Sequence, residues 1–426
     1  MALRIPKKRV LIGTFVIVIL IVLAFKAASI SAPMNGSYGW DTASPQSQGM
    51  DGERLTRLKN DLAQSDTDAF LVVRNDRIVY EWYPNRYKVA LGRFTEDLKG
   101  GNILAAGKDI ARAFDPRKAP ERRRHNLGAI AKSLEMGIAL MIAVDAGKIG
   151  LDDPAWMYIP AWKDDAVKSR ITIRNLATQT SGIENVRFPF ETEGWKGQFS
   201  RSTASRFSLA NTMAQVQSEP GTEYVYSSTG FYSLAYAISA SLQGSDDTDI
   251  RHILDENVMR PAGIPPEDWD ISYSGATYDV DGMELYAPAG AYTARAIARV
   301  GQVLLHRGQW EGQQLLPAAS SDAILTYGAG PDVVRPPETP GTTIGGWTNF
   351  DGLWPEIPRD AFVAVGANHK VLLIVPSLDL IVVRLGGSLT GEGLWTEQGA
   401  PYFEALEQYL LNPVVGAVDI GSAAAK

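Results

Sequence analysis

The sequence predicts an α/β chain of the α+β type: one sheet drawn from both chain ends, helices flanking it, and a helical subdomain inserted between. Three observations predict it. Near the start, Phe70–Arg74 and Arg77–Tyr83 flank Asn75 and Asp76, and β-branched and aromatic runs around such a pair signal a hairpin. Near the end, Val371–Val375 and Leu380–Leu385 flank Pro376–Asp379 with nearly continuous Val, Ile and Leu, as strands covered on both faces require. Between them lies a long, mostly helical stretch without repeats, which makes the middle an insertion in a sheet closed by the two ends.

In chain order, Arg4, Lys7, Lys8 and Arg9 precede the uncharged run Val10–Phe25, which Lys26 closes. That run is slightly long for a signal-peptide core and slightly short for a straight span of about 20 residues. Residues 1–28 are therefore read as a signal-anchor, with cleavage among Ala27–Ser31 as the alternative. The basic flank stays inside and the remainder is exported. The expected location is the cell envelope, periplasmic or extracytoplasmic, tethered to the inner membrane. Residues 29–48, rich in Ser, Gly, Pro and Ala, read as a linker. Residues 49–415 read as the folded domain and 416–426 as a tail.

Leu55–Leu62 has helical apolar spacing. Pro84–Arg124 is a long, weakly periodic loop, either disordered or the wall of a site. Residues 130–146 form an apolar helix interrupted by Lys132, Glu135 and Asp145, expected at the centre of the fold. Ala287–His306 reads as a helix, Trp310–Pro317 as a turn plus short strand, and Pro401–Leu411 as a helix closing over the sheet.

Composition narrows the chemistry. A chain of 426 residues can bury one large core. Its net charge of −7 argues against a nucleic-acid partner; the basic run Arg122–Arg124 is short and reads as a solvated turn. The absence of cysteine excludes disulfides, a thiol nucleophile, thiolate metal sites and a cysteine-linked lipid anchor. Four scattered histidines form no metal motif, so no cofactor is expected. The partner expected is a small-molecule or oligosaccharide substrate.

Six strings carry a resemblance: AFLVVRNDRIVYEWY, AKSLEMGIALMIAVDAGKIGLDDP, ITIRNLATQTSGI, PGTEYVYSSTGFYSLAYAIS, GQWEGQQLLP and VLLIVPSLDLIVVRLGG. In this order the chain resembles the serine β-lactamase-related family of class C β-lactamases, D-alanyl-D-alanine carboxypeptidases and esterase relatives. The resemblance implies a penicillin-binding-like antiparallel sheet flanked by helices, an inserted helical subdomain, and hydrolase chemistry by acyl transfer. In that chemistry a Ser at the start of the central helix attacks a carbonyl, helped by a Lys one turn on and a Tyr from the helical subdomain, while backbone N–H groups hold the oxyanion. Lys132 matches the Lys and Tyr226 the Tyr. Ser228 stands where Asn is usual. Ala129 stands at the nucleophile position.

Further departures accompany Ala129. Gln179 replaces the usual His before Thr-Ser-Gly, and no Lys/His-Thr/Ser-Gly motif is recognisable around Ala361–Gly366. Ser133 is no evident substitute, because it projects about 100° around the helix from Lys132.

Three functions remain open. The first is an atypical hydrolase, with glycoside hydrolysis as the favoured version because it needs two carboxyl groups and no hydroxyl nucleophile. Glu184 is its candidate catalytic group; Glu191, Glu193 and Trp195 are substrate-binding candidates, alongside Ser228, Gln179 and His369. Trp347 and Trp354 would offer flat faces to sugars, and His125 would stand near the cleft. Set against this, the glutamates can be solvated loop charges and the tryptophans core. The second is a serine acyl hydrolase in which Ala129 is an engineered replacement of Ser. The third is an inactive binding or regulatory protein, with Lys132 and Tyr226 merely tying the subdomains together.

Overall fold

The computed structural model describes residues 39–84, 120–186, 191–244, 249–330, 332–390 and 400–418. The expected anchor over 1–28, residues 85–119 of the long loop, and residues 419–426 lie outside these. Among the described residues no helix is long and apolar enough to cross a membrane. The chain divides into two units, Met1–Trp40 and Asp41–Lys426, and every described element belongs to the second.

Seven strands form the main sheet: β1 (Thr67–Arg74), β2 (Arg77–Trp82), β3 (Gly341–Thr342), β4 (Trp347–Thr348), β5 (Phe362–Gly366), β6 (Lys370–Val375) and β7 (Leu380–Gly386). Their spatial order is β3-β4-β5-β6-β7-β1-β2, and every pairing is antiparallel. The seam between chain ends is β1 against β7, with Leu71 opposite Val383. Asn75 and Asp76 turn the first hairpin with φ of 48° and 61°, left-handed values that suit the right-handed twist of the strands.

Both sheet faces are covered, as the late strands predict. On one face Phe70, Val72, Leu373 and Val382 pack with Leu55 and Leu58 of α1 (Gly52–Leu62) and with Leu406 and Leu410 of the closing helical segment. On the other lies α5 (Ala294–Leu305), preceded along the chain by α2 (Lys132–Asp145), α3 (Gly194–Arg201) and α4 (Ser228–Leu242). A Cβ at Gly301 of α5 would meet Leu372 at 3.1 Å and Ile381 at 3.3 Å, so glycine lets helix and sheet approach. Each fully buried aliphatic side chain here stabilises the fold by about 1.5–3 kcal/mol.

The central helix α2 starts with the π turn Lys132–Gly137 and continues as Ile138–Asp145.

Three boundaries differ from the sequence reading. Helix α5 starts at Ala294 rather than Ala287, because Thr293 caps it through a bond from Ala296 N at 3.2 Å. The preceding Ala291–Tyr292 is a short strand between His125–Asn126 and Trp269–Asp270. Residues 41–43, placed in the linker, hydrogen-bond to Ile78 of β2. Ala417 and Val418, placed in the tail, pair with Asp51 and Met50.

Candidate active site

The start of α2 is pressed against the end of β5. A Cβ on Gly366 would lie 2.2 Å from Leu127 O, and one on Gly128 would lie 3.0 Å from Ala367 N. Gly128 also has a φ of 58°, where only glycine is at ease. Asn126 fixes the turn by accepting from Gly128 N at 2.9 Å. This approach sets Ala129 and Ala367 on the wall of a cavity of about 900 Å³, which Lys132, Glu184, Tyr226 and Ser228 also line.

Lys132 is 4% exposed. Its Nζ donates to Tyr226 Oη and to Ser228 Oγ, each at 3.1 Å. It lies 5.0 Å from the centre of the Tyr226 ring and 5.3 Å from that of Phe231. Among the described residues no carboxylate is within ion-pair distance of it. Tyr226 is steadied by stacking on Trp347, with centroids 6.3 Å apart.

The N-terminus of α4 presents Ser228 through a chain of backbone bonds. Ser227 caps the helix by accepting from Gly230 N at 2.9 Å, and its Oγ donates to Glu184 O at 3.1 Å. Ser227 N donates to Gln179 Oε1 at 3.0 Å, and Ser228 N to Asn185 Oδ1 at 2.9 Å. Gln179 is 2% exposed and braces this turn from behind; it does not line the cavity. Ser133 Oγ donates to Gly345 O at 2.8 Å in a buried position, away from Lys132.

The glutamates separate. Glu184 is nearly buried, with Oε1 accepting from Gln215 N at 2.8 Å and Oε2 paired with Lys196 at 3.0 Å. Glu191 pairs with the same ammonium at 3.3 Å. The bond to Glu184 is the main reason that Lys196 is held above its ordinary pKa, with Glu191 assisting. Glu193 is exposed at the start of α3 and makes no capping bond there. Trp195 meets Phe199 edge-on at 6.3 Å and is not on the cavity wall.

Three candidates are placed elsewhere. Trp347 and Trp354 are 0% and 1% exposed and both pack on Phe403, so they belong to the core and offer no sugar platform. His369 is 1% exposed, stacks on Tyr402 at 4.4 Å and accepts from Leu389 N through Nδ1. Burial pushes it down to about 4, aided by Arg384, so it is a neutral core group and not a substrate contact. His125 is also buried, pushed down to about 3 by burial first and by Arg123 and Lys370 next, and is absent from the cavity wall.

Sequence reasoning missed Asn185, Lys196 and Tyr402, all on the cavity wall. Tyr402 Oη donates to Gly366 O at 2.7 Å, tying the closing helix to the end of β5. Arg206 joins the wall with bonds to the hydroxyls of Tyr232 and Tyr273 at 2.9 and 3.0 Å. The cluster of metal-ligand type found among the described residues, Asp76, His306 and Asp379, gathers at the β1–β2 turn and not on this wall.

Comparison with known proteins agrees with this geometry. An uncharacterized protein of Alkalihalophilus pseudofirmus is 23% identical over 292 residues, covering 64% of this chain and 76% of its own length. A putative D-alanyl-D-alanine carboxypeptidase of Salmonella paratyphi B is 24% identical over 242 residues, 53% of this chain; the chain spans about half of that relative's length (50%). The structure of a putative 6-aminohexanoate-dimer hydrolase from Bacillus anthracis superposes with a TM-score of 0.61 at 18% identity, covering 91% of this chain and 89% of that one. The family model described as beta-lactamase matches residues 57–391. With that match across most of its length, and with a fold shared with penicillin-binding-like hydrolases, the chain belongs to the beta-lactamase family.

Proposed function

We propose that this protein hydrolyses an acyl bond, ester or amide, in a small substrate, with Lys132 and Tyr226 moving the proton. The observation that carries this reading is Lys132, buried in the cavity wall and bound at 3.1 Å to two hydroxyls, with no carboxylate beside it among the described residues. An amine in that company can take a proton from one hydroxyl and return it through the other, the work acyl transfer requires. Ala129 and Ala367 line the cavity where the start of the helix meets the end of β5, a position suited to backbone N–H donors for a developing oxyanion. The name of the Salmonella relative refers to the same class of bond.

The glycosidic reading has less support. It needs one carboxyl kept protonated and a second facing it across the bond. Glu184 instead has both oxygens occupied, and it shares one ammonium with Glu191. The uncharged run Val10–Phe25 behind a basic flank supports placing this hydrolase at the cell envelope.

The test is product analysis after incubation with p-nitrophenyl esters, D-alanyl-D-alanine, the 6-aminohexanoate dimer and a set of oligosaccharides. Release of alcohol or amine with the matching acid is the expected result. Shortened sugars alone would replace this reading with the glycosidic one, and no product at all would favour a binding protein.

A further inference from the structure

We propose that Ser228, which lines the same cavity as the alanine at the expected position, is the nucleophile of this protein. The inference rests on the acyl-hydrolase reading and names the group that attacks. Lys132 selects it. Ser133 is bonded to Gly345 O. Ser227 is consumed by Glu184 O and Gly230 N. That leaves Tyr226 and Ser228 as the hydroxyls bonded to the amine, and of the two Ser228 is the alkyl alcohol that serves as an acyl acceptor.

The surroundings of Ser228 fit the role. Its Oγ lies 3.1 Å from Lys132 Nζ, within the reach of a general base and its nucleophile. Its backbone N–H is fixed by Asn185 Oδ1, a neighbour on the same cavity wall, which leaves its hydroxyl to Lys132. It is the first residue of the 15-residue helix α4, whose N-terminal end favours the negative charge that builds on oxygen during attack. An Asn at this place would offer an amide, which cannot form an acyl-enzyme. Serine supplies the hydroxyl that Ala129 lacks.

The step balances. As the Oγ–C bond forms, Lys132 in its neutral amine form takes the Ser228 proton and the carbonyl electron pair moves to oxygen. Collapse breaks the bond to the leaving alcohol or amine, which receives a proton from Lys132 through Tyr226 Oη. Water then adds to the ester carbon and gives its proton to Lys132. The C–Oγ bond breaks, Lys132 returns that proton to Ser228 Oγ, and the acid departs.

The experiment treats the full chain with an alkyl fluorophosphonate and, separately, with p-nitrophenyl acetate, followed by intact mass and peptide mapping. A single adduct on Ser228 is expected. Ser228→Ala should abolish the adduct and lower ester turnover at least a hundredfold, as should Ser228→Asn. Ser228→Cys should restore acylation on sulfur. An adduct on another residue, or a folded Ser228→Ala protein that still turns over ester, would overturn the assignment and leave the acyl-hydrolase reading standing. Failure of the unaltered chain to form any adduct or product would remove both. Should Ser228→Ala not fold, the adduct site on the unaltered chain decides alone.

Discussion

Lys132 and Lys196 face the same cavity in opposite company. Lys132 sits at the start of α2, 4% exposed, among two hydroxyls and two aromatic rings. Lys196, on α3, has a side chain 25% exposed and holds two carboxylates, Glu184 at 3.0 Å and Glu191 at 3.3 Å. A lysine between two carboxylates is committed to its positive charge, because losing the proton would strand both anions. Lys132 has two hydroxyls in that place, and among the described residues no carboxylate pairs with it. On the proposed reading, chemistry falls to the surroundings of Lys132 and cohesion to those of Lys196, although both lysines line one cavity.

The largest effect should follow from emptying the chemical wall. Lys132→Met keeps most of the buried stem and removes the amine. Turnover of any ester substrate should fall by roughly 10²- to 10⁴-fold, the usual scale for a lost general base. KM should stay nearly constant, because the loss falls on the chemical step. Steady-state kinetics alongside a thermal melt would check this. A folded Lys132→Met protein with unimpaired turnover would break the contrast at its stronger end and return Lys132 and Tyr226 to a purely structural role.

How far the sequence showed this contrast depends on distance along the chain. The β1–β2 hairpin was legible because Asn75 and Asp76 carry their own turn geometry. Strands β6 and β7 were legible from their apolar runs, and Lys132 only through the resemblance of Ala129-Ile130-Ala131-Lys132 to the family's motif. The contact of Lys132 with Ser228 joins residues 96 positions apart, and nothing local to either announces it. Glu184, Glu191 and Glu193 read as an acidic loop because Lys196 closes on two of them only when α3 folds back. His369 misled for a similar reason. The stretch Ala367-Asn368-His369-Lys370 has the polar composition of an exposed turn, and Asn368 and His369 do have the positive φ of a tight hairpin. Tyr402, arriving from the closing helix, then covers the imidazole.

A smaller effect should come from Glu184→Gln. Glutamine keeps the volume and an oxygen for Gln215 N, and gives up the charge that binds Lys196. Ester turnover should change less than tenfold while the melting temperature falls by a few degrees, the scale of about 1 kcal/mol. Paired kinetics and melts on this variant sharpen the comparison. A hundredfold loss of turnover in a folded Glu184→Gln protein would move the chemistry to the carboxylate wall.

The smallest effect is a pH dependence confined to Lys196. Its folded pKa is raised above the ordinary 10.5, chiefly by the hydrogen bond to Glu184. A raised lysine binds its proton more tightly in the folded state than in the unfolded one. The stability it contributes is therefore fully present below 10.5 and fades as pH rises through the folded value. The pair is partly solvated, so the contribution is at most about 1 kcal/mol. Urea melts of the natural chain and of Lys196→Met, run from pH 8 to beyond 11, should show a gap that narrows only at the alkaline end. A gap that stays constant with pH would mean that the stem of Lys196, packed near Trp195 and Glu184, stabilises the wall through contact and that its charge contributes nothing measurable.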